Sequence, residues 1–315
     1  MKKIALIIIY NHQYNKNINI IERIYKDRFS NIYHLVPFYY GEKANVIPVY
    51  ECSYFFQGYI AQGLKSYFKE EYTHYFFIAD DLMLNPTINE DNYSEHLKLN
   101  PNSCFIPEFI TLHDQDAWRT GEAFRWNINF KGVEAKNQLP NYEKALQKFQ
   151  QFNLTIKPIR FNQIWDKPSS PSSFRDWVRT FISWQIFYHS FSTLRWIKSK
   201  LTKKKYFLSY PIVGSYSDIC VVSSDAIKEF CHYCGVFAAT RLFVEMALPT
   251  ALVLSAKKIV TEKELELQGK VLCSQQDRKE LVDKYSNSLQ KLIVDFPTNY
   301  LYLHPVKLSQ WNTEL

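Results

Sequence analysis

Residues 75–86 read YFFIADDLMLNP, and this stretch decides how the fold is interpreted. Tyr75 to Ala79 are uncharged, strand-prone residues that run directly into two adjacent carboxylates, Asp80 and Asp81. In open α/β sheets, ligands bind outside the carboxyl ends of the strands, where this acidic pair would lie. Mg²⁺ and Mn²⁺ prefer oxygen ligands and are usually held by one or two carboxylates together with substrate phosphates. The stretch therefore predicts a metal–diphosphate site, although an acidic pair after a strand is also typical of a turn or a helix N-cap.

The composition indicates an α/β protein with a substantial core. The chain has 315 residues, of which 46% are hydrophobic, and this suits one large α/β domain or two small ones. The apolar run at residues 4–10 is followed by Asn11 with no small-residue cleavage site, so we interpret it as a first buried strand and not as a signal peptide. No apolar run approaches the roughly 18 residues that a membrane-spanning helix needs.

The six cysteines are scattered and lie mostly in apolar runs. This pattern favours reduced thiols in a cytosolic protein over a disulfide framework. Cys231 and Cys234 form a CxxC pair, but no second Cys/His pair accompanies them at the spacing of a zinc site. We therefore expect these two thiols to lie in the core of a helix, with a metal or redox role as the alternative.

Strand-like and helix-like segments alternate through the first hundred residues. This alternation predicts a largely parallel, Rossmann-like sheet with helices on both faces. The predicted strands cover residues 3–10, 31–37, 45–50, 75–79, 103–111, 217–223 and 300–304. The predicted helices cover residues 18–29, 54–69, 142–152, 224–233 and 243–255.

Two later segments carry polar residues at places where a site could form. Residues 235–245 read GVFAATRLFVE, which predicts a glycine-containing loop before Glu245 at the start of an apolar helix. Residues 300–309 read YLYLHPVKLS, which predicts a short strand that ends in His304. Each feature has a structural alternative, because a glutamate that opens a helix stabilises the macrodipole without any chemistry, and a single histidine is often structural.

The order of three features resembles that in the GT-A nucleotide-sugar glycosyltransferases. The features are the acidic pair, then the glycine-containing segment with Glu245, and last the segment with His304. That family has a Rossmann-like nucleotide-binding half, an acidic DxD metal motif after a strand, a glycine loop, an acid that opens a helix, and a C-terminal histidine that completes the metal site. Residues 78–86 are similar to the Asp-Asp-Asp-apolar-Asn-Pro version of the motif, with Ala79 at the position of the first acid. The resemblance spans nearly the whole chain, and each of its motifs is short.

The resemblance implies one GT-A-like domain, with a nucleotide-binding half at residues 1–111 and an acceptor half at residues 112–315. It implies that Mn²⁺ or Mg²⁺ is bound by Asp81, Asp80 and His304. The donor nucleotide sugar would be contacted by Tyr10, Asn11, Asp80, Gly235 and Lys307. The metal stabilises the charge that develops on the diphosphate leaving group, and Lys307 adds a phosphate contact. Glu245 would be the general base that takes the proton of the acceptor hydroxyl in an inverting transfer.

Two further acidic positions compete for a role. Asp114 and Asp116 form a literal DxD in a polar stretch next to His113, so they are a rival metal site or a contact to the acceptor. Asp218 begins a predicted strand and is interpreted either as an acceptor contact or as a turn residue.

Residues 174–205 form a basic aromatic segment. Eight Lys and Arg residues stand here against one acid, Asp176, and three of the seven tryptophans of the chain lie among them. Basic residues around an aromatic centre are typical of a helical insertion that docks on an anionic membrane surface. The alternatives are internal packing and a nucleic-acid surface.

Together these features predict a metal-dependent glycosyltransferase, peripheral on the cytoplasmic face of the cell membrane, that acts on a lipid-linked or oligosaccharide acceptor in glycan assembly and has no nucleic-acid partner. A sugar nucleotidyltransferase is the nearest alternative enzyme. Its Gly-rich, Arg-bearing phosphate loop is not found after the first strand, where residues 10–13 read YNHQ. A non-catalytic, membrane-docked nucleotide-sugar-binding protein is the alternative from another class.

Overall fold

The computed structural model describes residues 3–113, 119, 122–123, 126–130, 132–160 and 205–314. The rival acids Asp114 and Asp116 lie outside the described residues, as does the basic aromatic segment except for the backbone of its last residue.

A seven-stranded, mostly parallel sheet forms the centre of the described structure. In chain order the strands are β1 (Lys3–Ile9), β2 (Ile32–Pro37), β3 (Val46–Val49), β4 (Tyr72–Ala79), β5 (Met83–Leu84), β6 (Ser103–Phe105), β7 (Ile159–Arg160), β8 (Lys205–Tyr206), β9 (Ile219–Ser223), β10 (Lys258–Val260), β11 (Gln268–Val271) and β12 (Tyr300–His304). The large sheet has the order β10-β6-β9-β4-β1-β2-β3, and only β9 runs antiparallel to its neighbours. A smaller sheet has the order β11-β12-β5, and β7 pairs with β8.

Helices cover both faces of the large sheet. They are α1 (Asn15–Tyr25), α2 (Gln57–Tyr67), α3 (Tyr93–His96), α4 (Ala135–Gln138), α5 (Tyr142–Gln151), α6 (Ile227–Ala239), α7 (Val244–Ser255), α8 (Gln275–Lys284) and α9 (Leu289–Val294). Successive side chains of a strand point to opposite faces of the sheet. Accordingly, Ala5 and Ile7 of β1 share a core with α2, α6 and α7, whereas Ile4 and Leu6 share a second core with α1. The predicted α/β class with a mostly parallel sheet is confirmed.

The predicted glycine loop at residue 235 is wrong, because Gly235 lies inside α6, which continues to Ala239. A Cβ atom at Gly235 would lie 3.4 Å from the Cβ of Ala61 in α2. The glycine therefore faces α2 at ordinary contact distance and does not end α6. Cys231 and Cys234 are free thiols buried in the same helix, as the sequence predicts.

The strand predicted at residues 103–111 ends much earlier, at Phe105. Beyond it, the Pro107 carbonyl accepts a hydrogen bond from the Glu262 N–H, and Ile110 forms an isolated bridge with Gly214. Proline has no N–H to donate to a sheet ladder, so the regular pairing stops near it.

Arg28 anchors the chain that follows the acidic pair, and its loss should be costly. Its guanidinium donates to the Asn85 carbonyl at 2.6 Å and to the Ile88 carbonyl at 2.7 and 2.9 Å. Arg28→Met keeps much of the apolar stem but leaves the Ile88 carbonyl without these donors, while the Asn85 carbonyl keeps the bond from the Ile88 N–H. We therefore expect the free energy of unfolding to fall by about 1.5–3 kcal/mol. Urea denaturation measures this, with the exposed neighbour Lys26→Met as the control. Equal losses in the two variants would show that Arg28 is no anchor.

Candidate functional site

Acidic side chains meet at the carboxyl end of β4. Asp80 and Asp81 directly follow this strand, and Asp218 directly precedes β9. Because β9 is antiparallel to β4, the amino end of β9 lies beside the carboxyl end of β4. The Ala79 N–H donates to the Asp218 carbonyl over 2.9 Å, which fixes this arrangement. The antiparallel strand thus adds a third acid to the predicted pair.

His304 lies directly against Asp81, although 223 residues separate them in the sequence. His304 ends β12, and its Nε2 lies 2.9 Å from Asp81 Oδ1 and 3.9 Å from Asp218 Oδ1. The Val306 N–H donates to the Asp81 carbonyl over 2.6 Å and holds the two segments together. The structure therefore brings together three side chains that the sequence singles out for separate reasons, and each is between 14% and 21% exposed.

The electrostatics of this cluster show an excess of negative charge. Burial raises the pKa of Asp80 to about 7, and the charge of Asp81 contributes to the increase. Burial also raises the pKa of Asp218, against the opposing effect of His304. Burial alone would lower the pKa of His304, but the hydrogen bond with Asp81 and the charges of the three aspartates outweigh it and raise that pKa. The site therefore favours bound positive charge.

Residues 214–218 connect the acidic cluster to Glu245. The Ser215 N–H donates to the Glu245 carbonyl over 2.9 Å. The Tyr216 hydroxyl is in hydrogen-bond contact with the Nδ1 of His304. Burial raises the pKa of Tyr216, and the charges of Asp218, Asp81 and Glu245 add to the effect. Glu245 is thus within electrostatic range of the same phenol that contacts His304.

Glu245 lies in the first turn of α7, where the sequence predicts it. Its Oε2 accepts a hydrogen bond from the Nε of Arg119 at 2.5 Å, and the Nη2 of the same guanidinium lies 2.5 Å from that oxygen. A carboxylate is stabilised at a helix N-terminus by the macrodipole, and the guanidinium fixes its orientation further. Arg119 and Glu245 are 14% and 20% exposed, so the pair is partly shielded from water.

The five predicted donor contacts are placed differently. Asn11 lies at the acidic pair, since its N–H donates to Asp80 Oδ1 over 3.4 Å. Tyr10 is fully buried, with its hydroxyl 3.0 Å from His34 Nδ1. Lys307 is exposed and follows His304 by three residues. Gly235, inside α6, contacts α2 and is not among the residues that surround Asp80.

The donor chemistry of the cluster fits a metal that is shared with a phosphate ligand. Among the described residues, no group of three or more His, Cys, Asp or Glu side chains is arranged to hold a metal ion. Asp81 and His304 instead offer one carboxylate and one imidazole close together. Mg²⁺ in particular is seldom held by a complete protein cage and is usually bound by one or two carboxylates with phosphates and water. These residues therefore fit an ion whose remaining ligands come from the substrate.

Tyr216 and Arg119 are the two functional candidates that sequence reasoning missed. Tyr216 precedes a predicted strand, and Arg119 lies in a polar stretch without periodic pattern. Each acquires its place only through a partner far away in the chain, 88 residues for Tyr216 and 126 for Arg119. The Asp218 carboxylate faces His304, so Asp218 belongs to this cluster and is more than a turn residue.

Fold and site together define an α/β protein with an acidic cluster at the carboxyl edge of a mostly parallel sheet. Comparison of the chain with models of known protein families and with curated proteins finds no match. The geometry of the cluster and the order of the motifs therefore provide the basis for a functional proposal.

Proposed function

We propose that the chain is a metal-dependent glycosyltransferase of the GT-A type, which transfers a sugar from a nucleotide-sugar donor to a glycan acceptor. The observation that carries the proposal is the 2.9 Å contact between Asp81 and His304 at the carboxyl end of β4. Nucleotides bind at this edge in open α/β sheets. Mn²⁺ or Mg²⁺, held by Asp81, His304 and the substrate, would act as a Lewis acid on the diphosphate leaving group.

The charge of the site supports a requirement for metal. A nucleoside diphosphate is an anion, and the negative charge of this cluster would repel it from this edge, although the raised pKa values of Asp80 and Asp218 reduce that charge. His304 offsets part of that negative charge, because its pKa is raised. A divalent cation between the carboxylates and the phosphates converts the repulsion into attraction, so substrate binding should depend on it.

Glu245 supports an inverting transfer. Its carboxylate is held by Arg119 in the first turn of α7, close to the segment that carries Tyr216 and Asp218. A fixed carboxylate beside the donor site can accept the proton of an incoming hydroxyl group. The inverting stereochemistry is part of the proposal and follows from this role of Glu245.

A lipid-linked or oligosaccharide acceptor and a peripheral position on the cytoplasmic membrane face complete the proposal. They rest on the composition of residues 174–205, which lie almost entirely outside the described residues. Within the described ranges, no helix combines the length and the apolar character that crossing a membrane requires. Flotation with anionic vesicles at low and high salt tests the membrane contact, since screening weakens exposed charge interactions.

One contact favours a second candidate, a protein that binds nucleotide sugars without turning them over. The 2.5 Å ion pair with Arg119 stabilises the charged form of Glu245, and a carboxylate stabilised in this way is a weaker base. Such a protein would show metal-dependent nucleotide binding but would release no nucleoside diphosphate from any donor that it binds.

The first test is a thermal-shift screen of nucleoside diphosphates and nucleotide sugars with and without Mn²⁺. Specific binding at a ligand concentration 100 times Kd should stabilise the folded state by about 2.7 kcal/mol. We expect the rise in Tm to require nucleotide and metal together, because the cation links the carboxylates to the phosphates. Nucleosides without phosphate, with the same metal, are the control. A rise that is equal with and without Mn²⁺ would argue against a metal–diphosphate site.

A further inference from the structure

A cavity of about 670 Å³ lies at the opposite end of β12 from the acidic cluster. Its wall includes Asn85, whose side-chain amide donates to the carbonyl of Tyr300, the first residue of β12, over 2.8 Å. His304 is the last residue of that strand, and the rise of a strand separates the two ends by about 13 Å. The volume falls within the roughly 300–1,000 Å³ that is usual for small-molecule sites. The cavity is therefore large enough for a ligand of its own, away from the acidic cluster.

Polar side chains from three separate segments line this cavity. They include Glu95, His96, Lys98, Glu266 and Thr298. Within the part of the chain that the structure describes, none of these five side chains makes a hydrogen bond or an ion pair with another residue. Their donors and acceptors are thus available to a ligand. A few polar groups that converge on one cavity are a feature of binding sites.

Lys98 occupies a backbone position that suits glycine. The helix α3 ends at His96, and Lys98 follows its C-cap residue with a φ of 49°, in the left-handed region. The Leu99 N–H donates to the Ser94 carbonyl over 2.8 Å and closes the end of the helix in this conformation. A side chain with a Cβ atom is disfavoured in the left-handed region, and glycine is the usual residue there. The lysine therefore strains the backbone, and strained positions are concentrated at functional sites.

The rest of the wall and the charge of the cavity indicate the class of ligand. The apolar part of the wall consists of Leu267, Ile293, Val294 and Phe296. Val294 is 70% exposed, which is unusual for an aliphatic side chain at the end of a helix. The two carboxylates outnumber the one ammonium group, so the cavity does not attract phosphate. A neutral sugar combines hydroxyl groups, which both donate and accept hydrogen bonds, with apolar C–H faces, and it matches such a wall.

We propose that this cavity is a binding site for a neutral oligosaccharide, separate from the acidic cluster. The carboxylates of Glu95 and Glu266 accept hydrogen bonds from sugar hydroxyls. The ammonium group of Lys98 donates to a sugar oxygen, and Val294 with its apolar neighbours covers a C–H face. The inference goes beyond the proposed function, because the site needs no metal and would hold a glycan whether or not the acidic cluster transfers a sugar.

Lys98→Gly tests the site, because it removes the ammonium group and relieves the backbone at the same time. Saturation-transfer difference NMR on the full chain measures the binding of neutral oligosaccharides of glucose, galactose, mannose or N-acetylglucosamine. Sugar at about 10 mM nearly saturates a site with a Kd of about 1 mM. We expect the affinity to fall by about 10–100-fold, since a hydrogen bond from a charged group is lost. The Tm should not fall, because glycine adopts this conformation without strain.

Ser286→Gly is the matched control. Ser286 is exposed, has a φ of 53° and does not line the cavity, so glycine relieves the same backbone conformation at another place. Its sugar affinity should equal that of the wild type. Equal losses in Lys98→Gly and Ser286→Gly would show a general effect of glycine and would contradict a role for the lysine side chain.

Two further variants locate the sugar. Glu266→Ala, at an exposed residue of the wall, should weaken binding as Lys98→Gly does, whereas Asp81→Asn should bind the sugar like the wild type. The inference is wrong if none of the neutral oligosaccharides binds to the wild type, or if Lys98→Gly and Glu266→Ala both keep wild-type affinity. Loss of binding in Asp81→Asn alone would place the sugar at the acidic cluster and would also overturn it.

Discussion

Replacing Asp81 by asparagine is expected to abolish Mn²⁺-dependent nucleotide binding and to leave the protein folded. The change removes the carboxylate charge but keeps the shape, and the backbone carbonyl still accepts from the Val306 N–H. The side chain is 21% exposed at the edge of the sheet, so the core is not disturbed. Loss of a direct ligand should exceed the roughly 10–100-fold cost of disturbing a supporting residue. Calorimetry with a nucleoside diphosphate, with and without Mn²⁺, measures the effect.

The control for this experiment is Asp27→Asn, which removes an exposed carboxylate near the end of α1. Its nucleotide affinity should equal that of the wild type. Circular dichroism establishes that both variants are folded. If Asp81→Asn retains metal-dependent affinity, the metal lies elsewhere, and the literal DxD of Asp114 and Asp116 becomes the first candidate to test.

The buried strands β1 and β4 and their carboxyl ends were predictable because such strands carry a local signal. β1 and β4 are apolar on both faces, as strands covered by helices on both sides must be. Asp80 and His304 stand at the ends of such runs, where the change from apolar to polar residues marks the sheet edge. These positions follow from a few consecutive residues, so a single sequence reveals them.

The direction of β9 was not predictable in the same way. Its five residues are all buried. A short apolar run has the same sequence pattern whether the strand is parallel or antiparallel to its neighbours. The direction decides whether Asp218 meets Asp80 or lies at the opposite edge of the sheet. Only the connections between strands, which involve distant parts of the chain, determine it.

The prediction for Gly235 failed for a related reason. Glycine is a frequent helix breaker, and its local preference favours a loop. In the folded chain, Gly235 lies inside α6 and faces α2, where a Cβ atom would be in ordinary van der Waals contact with Ala61, at 3.4 Å. Tertiary packing outweighs a local preference of about 1 kcal/mol. The same limit applies to Arg119 and Tyr216, whose partners are distant in the sequence.

The second large effect is expected for Glu245→Gln, which should lower turnover by about 10²–10⁴-fold and leave donor binding unchanged. Glutamine keeps the shape of the side chain, and its amide oxygen can still accept from Arg119, but it cannot take a proton from the acceptor hydroxyl. Release of the nucleoside diphosphate from a donor found in the thermal-shift screen measures turnover, with oligosaccharide or water as the acceptor. Calorimetry measures donor affinity separately.

Glu51→Gln is the control, because Glu51 forms an ion pair with Arg241, at 2.8 Å, in which the guanidinium is more exposed than that of Arg119. Removing that charge changes a carboxylate–guanidinium contact in the same way, without touching Tyr216, Asp218 or the first turn of α7. A loss of turnover confined to Glu245→Gln would therefore be chemical in origin and not a consequence of a broken ion pair. Near-normal turnover in Glu245→Gln would leave Glu245 as a helix-stabilising residue. A retaining mechanism, which needs no such base, would then explain the transfer better.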